Sequence, residues 1–255
     1  MSDTELDQAT LEYAVRLGDD AIVLGHRISE WVSYGPFLEE DIAYGNVALD
    51  YIGRARMFYT YAAELAGGGK TEDDFAYLRD AREFRNLLIN ELPRGDFAYS
   101  QVRQLFVDVF NAGFLAELVK STDETLAAIA AKAIKETKYH LRRSHEWVLR
   151  LGDGTKESHQ RAQTAVDALW GYTHELFEMD ELEQQLADAG IAVDTTQLKE
   201  QWDAQIKDIL SEATLDIPAD DWAVRGGRVG YHTENLGHLL MDMQSVHRAY
   251  PGCQW

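Results

Sequence analysis

Apolar residues recur at helical spacing along the whole chain, and no stretch alternates as a strand does. The first periodic stretch covers 7–31 and stops before Tyr34-Gly35-Pro36. A second opens at Glu39-Glu40-Asp41, acids that suit a helix N-terminus. It puts Ile42, Gly45, Leu49 and Ile52 on one face, read as its core side, and Gly67-Gly68-Gly69 ends it. A third is predicted over 71–92, with Thr71 as N-cap and Pro93 as its stop. A fourth starts near Asp96 and carries Val102, Phe106, Val109 and Phe110. The fifth runs from the Ser121-Thr122-Asp123-Glu124 break to Gly152, with Leu126, Ala130, Ala133, Thr137, Leu141, Ser144 and Val148 on one face. A sixth is predicted over 155–189, with Val166, Trp170, Thr173 and Phe177 inward and Gly190 as its cap. A seventh covers 195–215, 216–230 reads as irregular, and a last helix spans 232–250.

Long helices joined by short breaks are what an antiparallel bundle requires. Proline use supports this: the chain has 4, where about 5% usage gives roughly thirteen in a chain of this length. The expected fold is all-α, a long-helix bundle in one domain over 1–255. Its core bundle is expected over about 38–190, with additional C-terminal helices over about 191–255. There is no internal repeat.

The net charge of −20 argues against nucleic acid and membrane partners, which need basic surface. No apolar run is long enough to span a bilayer, and the acidic N-terminus does not read as a signal peptide. Cys253 is the single cysteine, which excludes cysteine metal sites and suits a cytoplasmic location.

Bundles of this size can house a di-iron carboxylate centre, built from two single glutamates and two Glu-x-x-His pairs. None of the 8 histidines has an acid three residues before it. Two partial matches remain. Glu136 is in place, but Tyr139 stands where the histidine belongs; Glu83 is in place, but Asn86 follows it. Asp50 and Asp108 are the acids best placed for the single-carboxylate positions. These six residues are read as positions of a degenerate site that holds no metal; Glu83 and Glu136 as simple surface acids, and Glu136 with His140 at i, i+4 as a single-metal pair, stay open as alternatives. Other acid–histidine neighbours, such as His26 with Glu30 and His174 with Glu178, read as ordinary helix-surface pairs.

Two basic stripes cross the acidic background. Arg79, Arg82 and Arg85 recur every third residue of the predicted third helix, and Lys132, Lys135 and Lys138 do so on the fifth. Either suits phosphates or an acidic surface. Tyr59 and Trp147 read as exposed aromatics suited to an interface core.

Several segments together resemble a known family. They are Leu17-Gly18-Asp19, Leu49-Asp-Tyr-Ile-Gly-Arg-Ala-Arg56, Tyr61-Ala-Ala-Glu-Leu-Ala-Gly67, Ala131-Lys-Ala-Ile-Lys-Glu-Thr-Lys-Tyr-His-Leu-Arg142, His232-Thr-Glu-Asn-Leu-Gly237 and the terminal Pro251-Gly-Cys-Gln-Trp255. From about Leu11 to Trp255 the chain resembles the non-catalytic C subunits of multicomponent ring-1,2-phenylacetyl-CoA epoxidases. The resemblance implies a ferritin-like fold and no catalytic residue or cofactor in this chain. It implies a homologous partner subunit that carries the di-iron centre, and a reductase subunit that draws on NADPH. It also implies a contribution to the acyl-CoA site from the segment matching Glu83-Phe84-Arg85-Asn86, beside which Arg82 lies. Two other readings stay open: a ferritin-like oxidase with an unusual metal site of its own, and a helical adaptor unrelated to oxygenation.

Overall fold

The computed structural model describes residues 3–253, and among them there are helices and turns but no strand. The contacts divide the chain into two compact units, Met1–Pro93 with Gly226–Trp255, and Arg94–Arg225.

In the first unit α1 (Asp3–Ser29) and α2 (Leu38–Ala66) pair antiparallel. Gly18 lies against the Tyr59 ring near one end, and Gly25 against Tyr51 and Ile52 nearer the other. The buried face of α2 is Tyr44, Val47, Ala48, Tyr51, Ala55, Phe58, Tyr59 and Ala62. This corrects the face expected from spacing. Ile42 is 55% exposed and Leu49 66% exposed. α2 has apolar residues on more than one side, and the larger aromatic set took the core. Tyr59, expected outside, is fully buried.

The predicted third helix is also corrected. The segment breaks into α3 (Glu72–Tyr77), a 3-10 turn at Ala81–Glu83 and a single turn, α4 (Leu88–Glu91). The cause is competition for its backbone groups. The carbonyls of Ala76 and Arg79 accept from Gln244, and those of Tyr77, Leu78 and Arg79 from Arg248. The N–H groups of Arg85 and Leu87 go to carboxylates on α1 instead of to helical carbonyls. Asp80, Phe84 and Leu87 are accordingly extended. Gln244 and Arg248 belong to the final helix of this unit.

In the second unit α5 (Phe97–Leu118) is buried on nearly every side, including Val102, Phe106, Val109 and Phe110 as the spacing implies. Asp96 caps it, accepting from the Tyr99 N–H at 2.9 Å. α6 (Glu124–Gly152) buries the expected face, with Leu141 only half-buried. α7 ends early, at Lys156–Leu169, and the predicted 155–189 helix continues as two 3-10 turns and α8 (Glu181–Asp188). The break is tertiary: Trp170 Nε1 donates to Asp220, the Gly171 carbonyl accepts from Val224, and the Trp222 ring sits where a Cβ on Gly171 would be. Thr195–Leu198 is 3-10 and leads into α9 (Lys199–Glu212). An aromatic cluster of Phe106, Trp170, Phe177 and Trp202 fills the core of this unit. The last helix, α10 (Glu234–Ala249), belongs to the first unit.

Candidate functional site

The irregular stretch 79–91 is held by adjacent acids on α1, Asp19 and Asp20, which interrupt a run of buried apolar residues. Asp19 is fully buried. It accepts from Tyr59 Oη at 2.6 Å, the Arg85 N–H at 2.7 Å and the Arg79 guanidinium. Such donors satisfy a carboxylate that burial would otherwise penalise. Burial and the Asp19 charge hold the Tyr59 hydroxyl well above its usual pKa, so it remains a donor. Burial opposes the charge on Arg79, but Asp19 outweighs it and the guanidinium stays protonated.

Asp20 accepts from the Leu87 N–H at 2.6 Å, Asn90 Nδ2 at 3.1 Å and Arg228 at 2.8 Å. Burial raises its pKa to about 6 against the opposing pull of Arg228 and the Leu87 N–H. Arg228 also donates to the Arg85 carbonyl at 2.6 Å. The Gly-rich turn carrying it approaches the strap closely. Gly230 has φ +79°, and a Cβ there would lie 2.4 Å from the Arg82 carbonyl.

Glu91 closes the other end. It is buried and accepts from Asn86 Nδ2 at 2.9 Å, His232 Nδ1 at 2.7 Å and the Thr233 N–H at 2.5 Å. The other His232 nitrogen lies 2.9 Å from the Phe84 carbonyl. Both ring nitrogens face acceptors, which makes the ring an imidazolium. Burial alone lowers the His232 pKa, but the hydrogen bond and charge of Glu91, with the Phe84 carbonyl, outweigh it and leave it raised. Arg27 joins the Glu91 and Asn235 carbonyls at 3.0 and 2.6 Å.

The five residues expected at an acyl-CoA site thus lie on one strap but face different ways. Arg82 and Glu83 are exposed, Phe84 and Asn86 are buried, and Arg85 is between. The helical arginine stripe is a correction. Arg79 is sequestered by Asp19 and stacks over Phe84 at 4.3 Å. Arg85 turns back to the carbonyls of Arg82 and Phe84 at 2.7 and 2.8 Å. Among the described residues, Arg82 is the exposed arginine of the three that has no carboxylate partner.

The positions read as a degenerate metal site divide between the units. In the first, Asp50 is half-buried, and Glu83 is spent on capping the Asp80 N–H at 2.7 Å. Asn86 is spent on Glu91. In the second, Asp108 is fully buried and accepts from Gln104 and Ser144 at 2.7 and 2.8 Å. Glu136 is half-buried, while Tyr139 is 43% exposed. The buried residue beside Tyr139 on α6 is His140, four positions after Glu136. Among the described residues no three His, Cys, Asp or Glu side chains gather as a metal requires. Lys132, Lys135 and Lys138 are exposed.

Reading by spacing missed Asp19, Asp20, Glu91, Arg228 and His232. The available signal was two consecutive acids inside an apolar helix, and a histidine beginning a segment already singled out for its likeness.

The chain matches the model of the phenylacetic acid catabolic protein family over residues 1–255, and it belongs to that family. The all-α, ferritin-like fold class expected from the sequence stands with it. The chain is 47% identical over 243 residues to the C subunit of 1,2-phenylacetyl-CoA epoxidase from Escherichia coli (strain K12), covering 95% of this chain and 98% of that relative. Among the described residues no helix is long and apolar enough to cross a membrane.

Proposed function

We propose that this chain is a structural, non-catalytic subunit of a cytoplasmic phenylacetyl-CoA ring 1,2-epoxidase. In this reading it pairs with a homologous di-iron subunit and supports it in aerobic phenylacetate degradation. It holds no cofactor itself, and a reductase component brings electrons from NADPH. The observation that carries the reading is the near full-length likeness to an epoxidase C subunit in a chain with no acid-x-x-His pair. The strap 82–86 is its contribution beside the acyl-CoA, with Arg82 offering an unpaired charge to a coenzyme A phosphate.

Co-expression with a di-iron subunit of the same family tests this. The two chains are expected to co-purify and, with a reductase and NADPH, to epoxidise phenylacetyl-CoA. Iron reconstitution of this chain alone is expected to leave well below one iron per chain. Two tightly held irons, or a catalytic partner equally soluble and active without this chain, overturns the reading.

A further inference from the structure

Four successive carbonyls of the strap each accept from a cationic side chain. The Arg82 carbonyl accepts from Arg85 Nη1 at 2.7 Å, and that of Glu83 from Arg79 Nη1 at 3.0 Å. The Phe84 carbonyl accepts from Arg85 and His232, and that of Arg85 from Arg228 Nη1 at 2.6 Å. A backbone that forms no helix must find such partners elsewhere. Arg79 and Arg85 are local to the strap, whereas Arg228 reaches it from far along the chain. Arg228 also does what the others do not. Its second nitrogen holds Asp20 on α1, so one guanidinium fastens the strap directly to that helix. The Arg85 residue is thereby held on both sides, its N–H by Asp19 and its carbonyl by Arg228.

Arg228 lies on a turn that closes on itself. The Val229 and Tyr231 N–H groups donate to the Gly226 carbonyl at 3.1 and 2.9 Å, and the Gly230 N–H to the Gly227 carbonyl at 3.0 Å. Two residues after Arg228, Gly230 leaves no room for a Cβ beside the Arg82 carbonyl. The turn therefore grips 82–85 at both ends, by a hydrogen bond at Arg85 and by close backbone approach at Arg82. Arg82 is exposed and, among the described residues, has no carboxylate partner to fix it. Where its guanidinium lies is decided by where the backbone puts its Cα.

We propose that Arg228 is a positioning residue for the acyl-CoA site: through Asp20 and the Arg85 carbonyl it holds the strap so that Arg82 meets a coenzyme A phosphate. This rests on the acyl-CoA role proposed above for the strap. The charge of Arg228 is spent on Asp20 at 2.8 Å, with both side chains only 18% exposed, so it acts through Arg82 and not on the ligand. The phosphates lie far along the substrate from the reacting ring. The effect therefore falls on substrate binding and leaves the chemical step alone.

The test uses the chain assembled with a di-iron subunit of the same family, a reductase and NADPH. Arg228→Gln is expected to raise the KM for phenylacetyl-CoA roughly three- to tenfold with kcat unchanged, up to the worth of one charge-assisted hydrogen bond. Arg228→Lys keeps the ion pair but not the second hydrogen bond, and is expected to fall between. Gly230→Ala, which must push the Arg82 carbonyl away, is expected to raise KM in the same way. In an Arg82→Glu background Arg228→Gln is expected to add nothing, because it acts through the residue already lost. In the purified full-length chain alone, amide hydrogen exchange is expected to quicken over 82–87 in Arg228→Gln and to stay as in wild type over 97–118. Additive effects of Arg82→Glu and Arg228→Gln on KM, a fall in kcat at constant KM, or unchanged exchange over 82–87 overturns the proposal. So does an Arg228→Gln variant without effect on KM where Arg82→Glu raises it. An Arg82→Glu variant with wild-type KM overturns the acyl-CoA role of the strap, and this proposal with it. Should Arg228→Gln fail to assemble, Arg228→Lys and Gly230→Ala give the same readings.

Discussion

His232 Nδ1 stands 2.7 Å from Glu91 Oε2, an ion pair between side chains 5% and 0% exposed and far apart in sequence. With the Phe84 carbonyl on its other nitrogen, His232 ties the final segment of the first unit to the middle of the strap and to its Glu91 end. It does so only when protonated, because a neutral ring can donate from one nitrogen alone. The attachment is therefore sensitive to pH.

The pKa of His232 is raised in the folded chain. Its contribution to stability is therefore fully present below about 6.5, the ordinary histidine value, and is lost as pH rises through the folded value. Thermal melts between pH 5.5 and 8.5 check this. The gap in stability between wild type and His232→Gln is expected to narrow as pH rises. A gap that is constant with pH means that the ring is neutral in the fold.

Asp19 is the anchor of the strap. Asp19→Asn leaves the Arg79 cation beside a neutral amide, and breaking a buried pair on one side costs about 3–5 kcal/mol. Urea denaturation measures the loss. Restoring part of it in Asp19→Asn/Arg79→Leu would show that the uncompensated cation, more than lost packing, is responsible. A cost below about 1 kcal/mol would leave the ionic account without support, being no more than an exposed pair supplies.

Trp202 is 3% exposed, donates from Nε1 to the Phe106 carbonyl at 3.0 Å and touches three other rings. Trp202→Ala is expected to cost about 3–5 kcal/mol. The midpoint in guanidinium reports it. A loss much below that range means that neighbouring rings collapse into the space.

Arg82 and Arg85 separate a ligand role from a structural one. In the assembled oxygenase, Arg82→Glu is expected to raise the KM for phenylacetyl-CoA on the order of tenfold, the worth of a charge-assisted hydrogen bond. Stability should stay unchanged, because the side chain is exposed. Arg85→Glu is expected to lower the melting temperature, because its guanidinium caps two carbonyls of the strap. Equal effects of the two variants on KM would remove Arg82 from the acyl-CoA site.

Much of the fold was legible without coordinates. Wherever one stripe of a helix is apolar and the rest polar, as on α6, burial follows spacing, because transfer from water depends on the side chain itself. The helix starts near Asp96 and at the 121–124 break were legible for a similar reason: the hydrogen bonds by which Asp96 and Asp123 cap them close within one turn of the chain. The missing acid-x-x-His pairs were likewise a matter of local spacing.

Only the tertiary structure decided which side of α2 is inside, because that helix offers apolar residues to more than one direction and the neighbour chooses. Only it decided that 79–91 is a strap. Local propensity favoured a helix there, but Asp19 and Asp20 on α1 and Gln244 and Arg248 on α10 claim the backbone groups that a helix would pair internally. A backbone hydrogen bond goes to the partner the whole fold brings near it. For that reason Glu91 and His232, 141 positions apart, came together only once the chain had folded.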